Sequence, residues 1–218
     1  MKISLAKRPK IKLPRPAMPM PEDFDLIRRR MVHYYENLSD YIDKDSMVID
    51  EHRAFFNIKP IEKVLNVKKL GEGYYSKVYQ VGDKALKIVK NEDRAYASFI
   101  RFLEEEGHKY SCFPKVFYYG IWAGKAVYII ELMEVSEEDE ENSERQFLSE
   151  IACNFFRGRR EVKPNRFFNV PNDFYEGLKA LKKYYQEYSD RDGFGEDLHA
   201  GNIMVRPDGT PVITDPFS

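Results

Sequence analysis

A chain of 218 residues, 43% hydrophobic and 33% charged, is long enough to bury a core and has the composition of an ordinary globular protein. A formal net charge of −1 at pH 7 excludes a globally basic nucleic-acid binder, and the two cysteines, Cys112 and Cys153, exclude a disulfide scaffold or a cysteine zinc site. No run of about 18 apolar residues marks a membrane span, and the start lacks the apolar stretch of a secretory signal, so a cytoplasmic location is expected.

Residues 1–21 are basic and proline-rich: Lys2, Lys7, Arg8, Lys10, Lys12 and Arg15 precede the first acid, Glu22. Such a segment reads as an extended arm, either solvated or touching an acidic partner or nucleic acid. Residues 22–59 read as a helical extension. Phe24, Ile27, Met31, Tyr34, Leu38 and Tyr41 follow helical spacing over 22–43, and 44–59 reads as irregular or short helix. From Pro60 the pattern turns to strands. Runs around Val78 and Leu86 flank the Gly82-Asp83 turn, and runs at 113–119 and 126–133 flank Ala123-Gly124. Between them, 91–106 has Ala95, Phe99, Phe102 and Leu103 on one helical face, with Gly107 as the stop. The acid-rich stretch 134–145 reads as a solvated linker. Helices follow at 143–156 and 172–189, and a hairpin turned by Pro207-Asp208-Gly209 closes the chain. Strands first and helices later predict an α+β, two-lobed architecture, with one lobe over 60–133 and the other over 146–218.

The closing hairpin carries the chemistry. Asp197 and Asn202 precede its first strand, and Asp215 follows its second, in Ile213-Thr214-Asp215-Pro216. Folding the hairpin can bring two carboxylates and an amide to one point, which phosphoryl transfer requires: one acid for the nucleophile, an acid and an amide for Mg²⁺. His199 lies between them, suited either to a phosphate or to holding the loop. Upstream, the Gly71-Glu72-Gly73 turn between strands lets backbone amides approach phosphates. It is no Walker loop, because no Gly-Lys-Ser/Thr follows it. Strand alternation puts Lys87 on the same side as Ala85 and Val89, where an ammonium needs an anion or an open cleft unless the strand is an exposed edge with its lysine in water.

Taken in this order, the residues resemble the protein-kinase-like superfamily over roughly 64–217. Gly71, Gly73 and Val78 match the glycine-rich loop over ATP, with Ser76 in place of its third glycine. Lys87 matches the phosphate-gripping lysine. Glu131 and Met133 fall in the hinge whose backbone would pair with adenine. Asp197 matches the catalytic aspartate, Asn202 and Asp215 the metal ligands. The loop Asp197-Leu198-His199-Ala200-Gly201-Asn202-Ile203-Met204 and the ending Ile213-Thr214-Asp215-Pro216 are similar, more narrowly, to the early serine/threonine kinases of tailed phages that infect enteric bacteria. The likeness implies a two-lobed kinase-like fold with a truncated, minimal C-lobe. It also implies ATP with Mg²⁺ or Mn²⁺, and host proteins as substrates in the host cytoplasm.

The departures from that pattern matter. Gly195-Glu196 stand where the family has His-Arg, so control by an activation-loop phosphate is not expected. Pro216-Phe217 replace Phe-Gly, and no Ala-Pro-Glu motif follows. The helix acid that should pair with Lys87 is Glu92, Glu104, Glu105 or Glu106. Two rival readings are a kinase-scaffold protein that binds and redirects a host enzyme, and a small-molecule phosphotransferase.

Overall fold

The computed structural model describes residues 19–50, 53–89, 93–133, 139–159 and 170–218. Most of the basic arm, Glu92, and the acidic residues 134–138 lie outside these. The fold is mixed α+β. Its centre is a five-stranded antiparallel sheet with strand order β3-β4-β5-β7-β6. The strands are β3 (Lys68–Glu72), β4 (Ser76–Val81), β5 (Lys84–Val89), β6 (Val116–Trp122) and β7 (Lys125–Glu131).

Period-two alternation sorts these strands between two apolar clusters. Leu86, Ile88, Val127 and Ile129 face one side, and there they meet α1 (Asp23–Glu36) and α2 (Ile61–Leu65) through Phe24, Ile27, Met31, Tyr34, Ile61 and Leu65. Phe24 and Met31 are fully buried, and a buried side chain of this size contributes about 1.5–3 kcal/mol. Ala85, Val89, Tyr128 and Ile130 face the other side. They pack with α3 (Arg94–Glu105), α4 (Asp139–Phe156) and α5 (Asn172–Asp192), and with Leu198, Ile203, Ile213 and Phe217 of the closing segment. One cluster therefore joins the sheet to the C-terminal helices and to the hairpin β8 (Ile203–Val205) and β9 (Pro211–Ile213). The Ile213 amide also donates to the Cys112 carbonyl at 2.9 Å, fixing that hairpin beneath the sheet.

Four expectations need correction. Residues 44–59 are neither irregular nor helical: β1 (Ile42–Asp50) and β2 (Arg53–Ile58) form an antiparallel hairpin. Met47-Val48-Ile49 and Ala54-Phe55-Phe56 are short apolar runs that pair with each other, and the charges around them hide the alternation. The helix expected over 22–43 accordingly ends at Glu36, and Ile42 already belongs to β1. The acidic stretch is not linker to residue 145, because α4 starts at Asp139. Acids at a helix N-terminus are favoured by the helix dipole, so the same charges that suggest a loop also suit a first turn. Finally, the end of the arm is seated: Met20 packs against the cluster under α1. The stop at Gly107 is present for a different reason from helix capping. A Cβ there would meet Leu103 Cδ2 at 2.8 Å and Phe102 Cε1 at 2.9 Å, so any larger residue where the chain leaves α3 would have to push these side chains aside.

Candidate active site

Lys87 occupies the middle of β5, paired across to Val78 on β4 and Tyr128 on β7. It is 5% exposed. An ammonium so placed needs compensation, and among the described residues it has two partners. Its Nζ donates to Asp215 Oδ2 at 2.6 Å, and it lies 3.3 Å from the centroid of the Tyr96 ring on α3. Burial raises the Asp215 carboxyl above its ordinary value; Lys87 opposes this, and the nearby charges of Asp93 and Asp197 reinforce it. Burial likewise pushes the Tyr96 phenol well up, so it stays protonated.

The closing hairpin is wired residue by residue. Asn202 Nδ2 donates to the Asp197 carbonyl at 2.8 Å, which fixes the amide orientation. The Asn202 carbonyl accepts from the Thr214 amide at 2.8 Å and from Thr214 Oγ1 at 3.1 Å. The Asp197 amide donates to the Pro216 carbonyl at 2.7 Å, while Gly195 and Ser218 exchange both of their backbone bonds. The segment before Asp197 is thus zipped to the segment after Asp215, and the two acids are carried on adjacent strands of chain. From behind, α4 and the residue that follows it hold the loop: Ser149 Oγ donates to the Leu198 carbonyl at 2.6 Å, and Arg157 pairs with Glu196 at 2.6 Å.

His199 is largely exposed. Its Nδ1 accepts from the Gly201 amide at 3.0 Å, and its Nε2 lies 3.7 Å from Asp197 Oδ1. A Cβ at Gly201 would come within 2.8 Å of the imidazole, so glycine is what lets this ring fold back on its own loop.

The glycine turn leaves space. A Cβ at Gly71 or Gly73 would meet nothing within 4 Å among the described residues, so a side chain there would point into open space. The turn is closed by the Gly73 amide donating to the Ser76 carbonyl at 2.9 Å, and Gly71 pairs with Val78. At the far end of β7, the Glu131 amide donates to the Lys115 carbonyl and its carboxylate is held by Arg206, at 2.8 Å for both Nε to Oε1 and Nη2 to Oε2. Glu131, Leu132 and Met133 border a hollow of about 480 Å³ with Gly82, Asp83 and Pro207. A second groove, of about 840 Å³, runs along Lys115–Tyr119 and Arg206, and none of Lys87, Asp197, Asn202 or Asp215 lines it.

The structure therefore unites Lys87 with Asp215, and Asp215 through its neighbours with Asn202 and Asp197. The expected helix acid for Lys87 is not found among the described residues. The Tyr119 hydroxyl bonds Glu104, Glu106 pairs with Lys109, and Glu105 sits at the end of α3. The face of α3 turned to the sheet is Ala95, Tyr96, Phe99, Ile100, Phe102 and Leu103, so the late glutamates point elsewhere. Sequence reasoning missed Tyr96 and Arg206. For Tyr96 a signal existed: Asp93 caps α3, its Oδ1 accepting from the Tyr96 amide at 3.0 Å, which places Tyr96 in the first turn on the apolar face. Arg206 carries no such signal.

The donor set suits a hard divalent cation. Among the described residues no three His, Cys, Asp or Glu side chains converge to cage an ion. One carboxylate and one amide oxygen suit Mg²⁺, which keeps waters and takes most of its other ligands from phosphates.

Two comparisons with known proteins bear on this arrangement. No curated protein matches the chain. The family model described as bacteriophage T7 protein kinase 0.7 matches residues 25–218, a span that begins in α1 and takes in the sheet, Lys87 and the whole closing hairpin. With that coverage, the chain belongs to the bacteriophage T7 protein kinase 0.7 family.

Proposed function

We propose that this protein is an ATP- and Mg²⁺-dependent kinase that transfers the γ-phosphoryl group to serine or threonine of host proteins in the host cytoplasm. Membership of a protein kinase family supports the reaction class. The observation that carries the site is the Lys87–Asp215 contact at 2.6 Å, across 128 residues of chain, with Asp215 tied through Thr214 and Pro216 to Asn202 and Asp197. On this reading the sheet with α3, over 60–133, is the N-lobe, and 146–218 is a minimal C-lobe. Within the extension over 22–59, α1 packs on the N-lobe sheet, and the basic arm is assigned to an acidic partner or nucleic acid. No helix among the described residues is long and apolar enough to cross a membrane.

Each residue has a defined task. Lys87 exchanges Asp215 for the α- and β-phosphates. The Gly71–Gly73 turn, Ser76 and Val78 cover the nucleotide, and the backbone at Glu131–Met133 receives the adenine. Asp197, partly exposed at the mouth, orients the substrate hydroxyl and accepts its proton as the oxygen attacks phosphorus and ADP leaves. Asn202 and Asp215 supply oxygens for the metal. A Mg²⁺ ion held by these two residues would supply neutralisation of the charge that develops on the phosphates. His199 holds the Asp197 loop through Gly201 and keeps Nε2 toward the mouth.

The test is incubation with γ-labelled ATP, Mg²⁺ or Mn²⁺, and host lysate. Wild type labels serine or threonine, and Asp197→Ala does not. A wild type that labels nothing, itself included, refutes the activity. An Asp197→Ala protein as active as wild type refutes the role given to that residue.

A further inference from the structure

In the kinase arrangement a carboxylate on the helix behind the sheet holds the phosphate-binding lysine. Here α3 offers Lys87 an aromatic face instead. The ring of Tyr96 lies 3.3 Å from Nζ, a distance at which a cation is attracted by the ring quadrupole, more strongly once water is excluded. Lys87 and Tyr96 are 5% and 1% exposed, so water is excluded. The ring is held rigidly. It packs edge-on against Tyr128 at 4.8 Å and against Phe99 at 6.0 Å, and Asp93 caps the first turn of α3 through the Tyr96 amide. Its hydroxyl has no hydrogen-bond partner among the described residues. What Tyr96 offers Lys87 is therefore its π face.

We propose that Tyr96 is the positioning residue for Lys87, its ring taking the place of the helix carboxylate. The proposal rests on the ATP-dependent reading above and adds a consequence to it. A carboxylate partner would both place the ammonium and neutralise it. A neutral ring places it and leaves its full charge for phosphate, so among the described residues the anion that must be exchanged on nucleotide binding is Asp215.

Two readouts test this. The first needs no nucleotide. In protein labelled with ¹³C-lysine, the ε-methylene of Lys87, assigned by its loss in Lys87→Arg, is shifted upfield by the ring in wild type and in Tyr96→Phe, and returns to the position of the other lysines in Tyr96→Leu. The second is ATP affinity. Tyr96→Leu weakens it about thirtyfold, the size of a desolvated cation–π contact, and Tyr96→Phe restores it. An unshifted Lys87 methylene in wild type overturns the proposal, as does a folded Tyr96→Leu protein that binds ATP like wild type. Should Tyr96→Leu not fold, the wild-type shift and the affinity of Tyr96→Phe still decide, because loss of affinity with the ring retained also overturns it. No ATP binding by any version, wild type included, refutes the kinase reading and this inference with it. Normal binding by Tyr96→Leu refutes the inference alone.

Discussion

Lys87 reaches Asp215 at 2.6 Å from the middle of β5, and Glu131 reaches Arg206 at 2.8 Å from the end of β7. Both ion pairs join the sheet to the closing hairpin, yet they are built differently. Both Glu131 oxygens accept from Arg206, and one also accepts from the Lys115 amide. Two further guanidinium donors go to the carbonyls of Ser111 and Phe113. Planar, bidentate pairing of this kind satisfies its groups and fixes three chain segments at once. The contact to Asp215 uses one carboxylate oxygen, and the other side of the ammonium rests on a ring. The first pair is a staple. The second is a contact that can be exchanged, which a site handling phosphates requires.

Removing each acceptor and donor in turn tests that contrast. On the proposed reading Asp215→Ala deletes a metal ligand and slows phosphoryl transfer about a thousandfold, read by labelled-ATP incorporation into a host lysate. Arg206→Ala acts on the fold. It strands a carboxylate that is only 20% exposed, costs about 2–3 kcal/mol, and lowers the melting temperature by about 4–10 °C in a thermal scan. Labelling by its folded fraction falls far less than in Asp215→Ala. Two variants that lose labelling only in proportion to their unfolded fraction would erase the distinction between staple and exchangeable contact.

That contrast also separates what the sequence discloses from what it conceals. Asp197, Asn202 and Asp215 are legible because a single short hairpin brings them together, and Lys87 because a charged residue within an apolar strand, one hairpin after the glycine turn, stands out from its neighbours Ala85 and Val89. Local patterning suffices for both. Tyr96 as the partner of Lys87 is not legible, because an aromatic residue on the inner face of a helix reads as core whatever stands above it. Arg206 is hidden for a stronger reason. Its partners lie 75 and 95 residues earlier in the chain, and no local period encodes them. The β1–β2 hairpin fails at an intermediate level: its pairing is local, but charged residues interrupt the alternation that would announce it. The seat of α1 on the sheet face opposite α3 follows from packing alone, since an amphipathic pattern states that a helix docks and not where.

A double-mutant cycle gives the strength of the exchangeable pair directly. Lys87→Met leaves Asp215 without its cation, and Asp215→Asn leaves a buried ammonium without its anion, so each single change costs more than the two together. A coupling of about 1–2 kcal/mol is expected from urea unfolding, below the cost of Arg206→Ala. A coupling near zero would mean that Tyr96 and solvent already compensate Lys87, and that Asp215 is free before any exchange.

The smallest effect is in the pH dependence of stability, where the two pairs have opposite signs. Burial pushes the Glu131 carboxyl up, but the Arg206 hydrogen bonds, the Lys115 amide and the nearby positive charges outweigh it and hold the group below its ordinary value of 4.5. A group depressed in the folded state gives stability that is present above the unfolded value and lost as pH falls through the folded one. Burial also pushes Asp215 up, and there Lys87 does not overcome it, so the group stays above its ordinary value of 3.8. Its contribution is present in acid and is lost as pH rises through that raised value. Unfolding free energies measured across this range for wild type, Glu131→Gln and Asp215→Asn should therefore diverge. The loss caused by Glu131→Gln shrinks toward acid, because the wild type is giving up the same contribution. The loss caused by Asp215→Asn grows toward acid, because only the wild type can take up the favourable proton. Two slopes of the same sign would show that Asp215 is as fully compensated as Glu131, and that both pairs are staples.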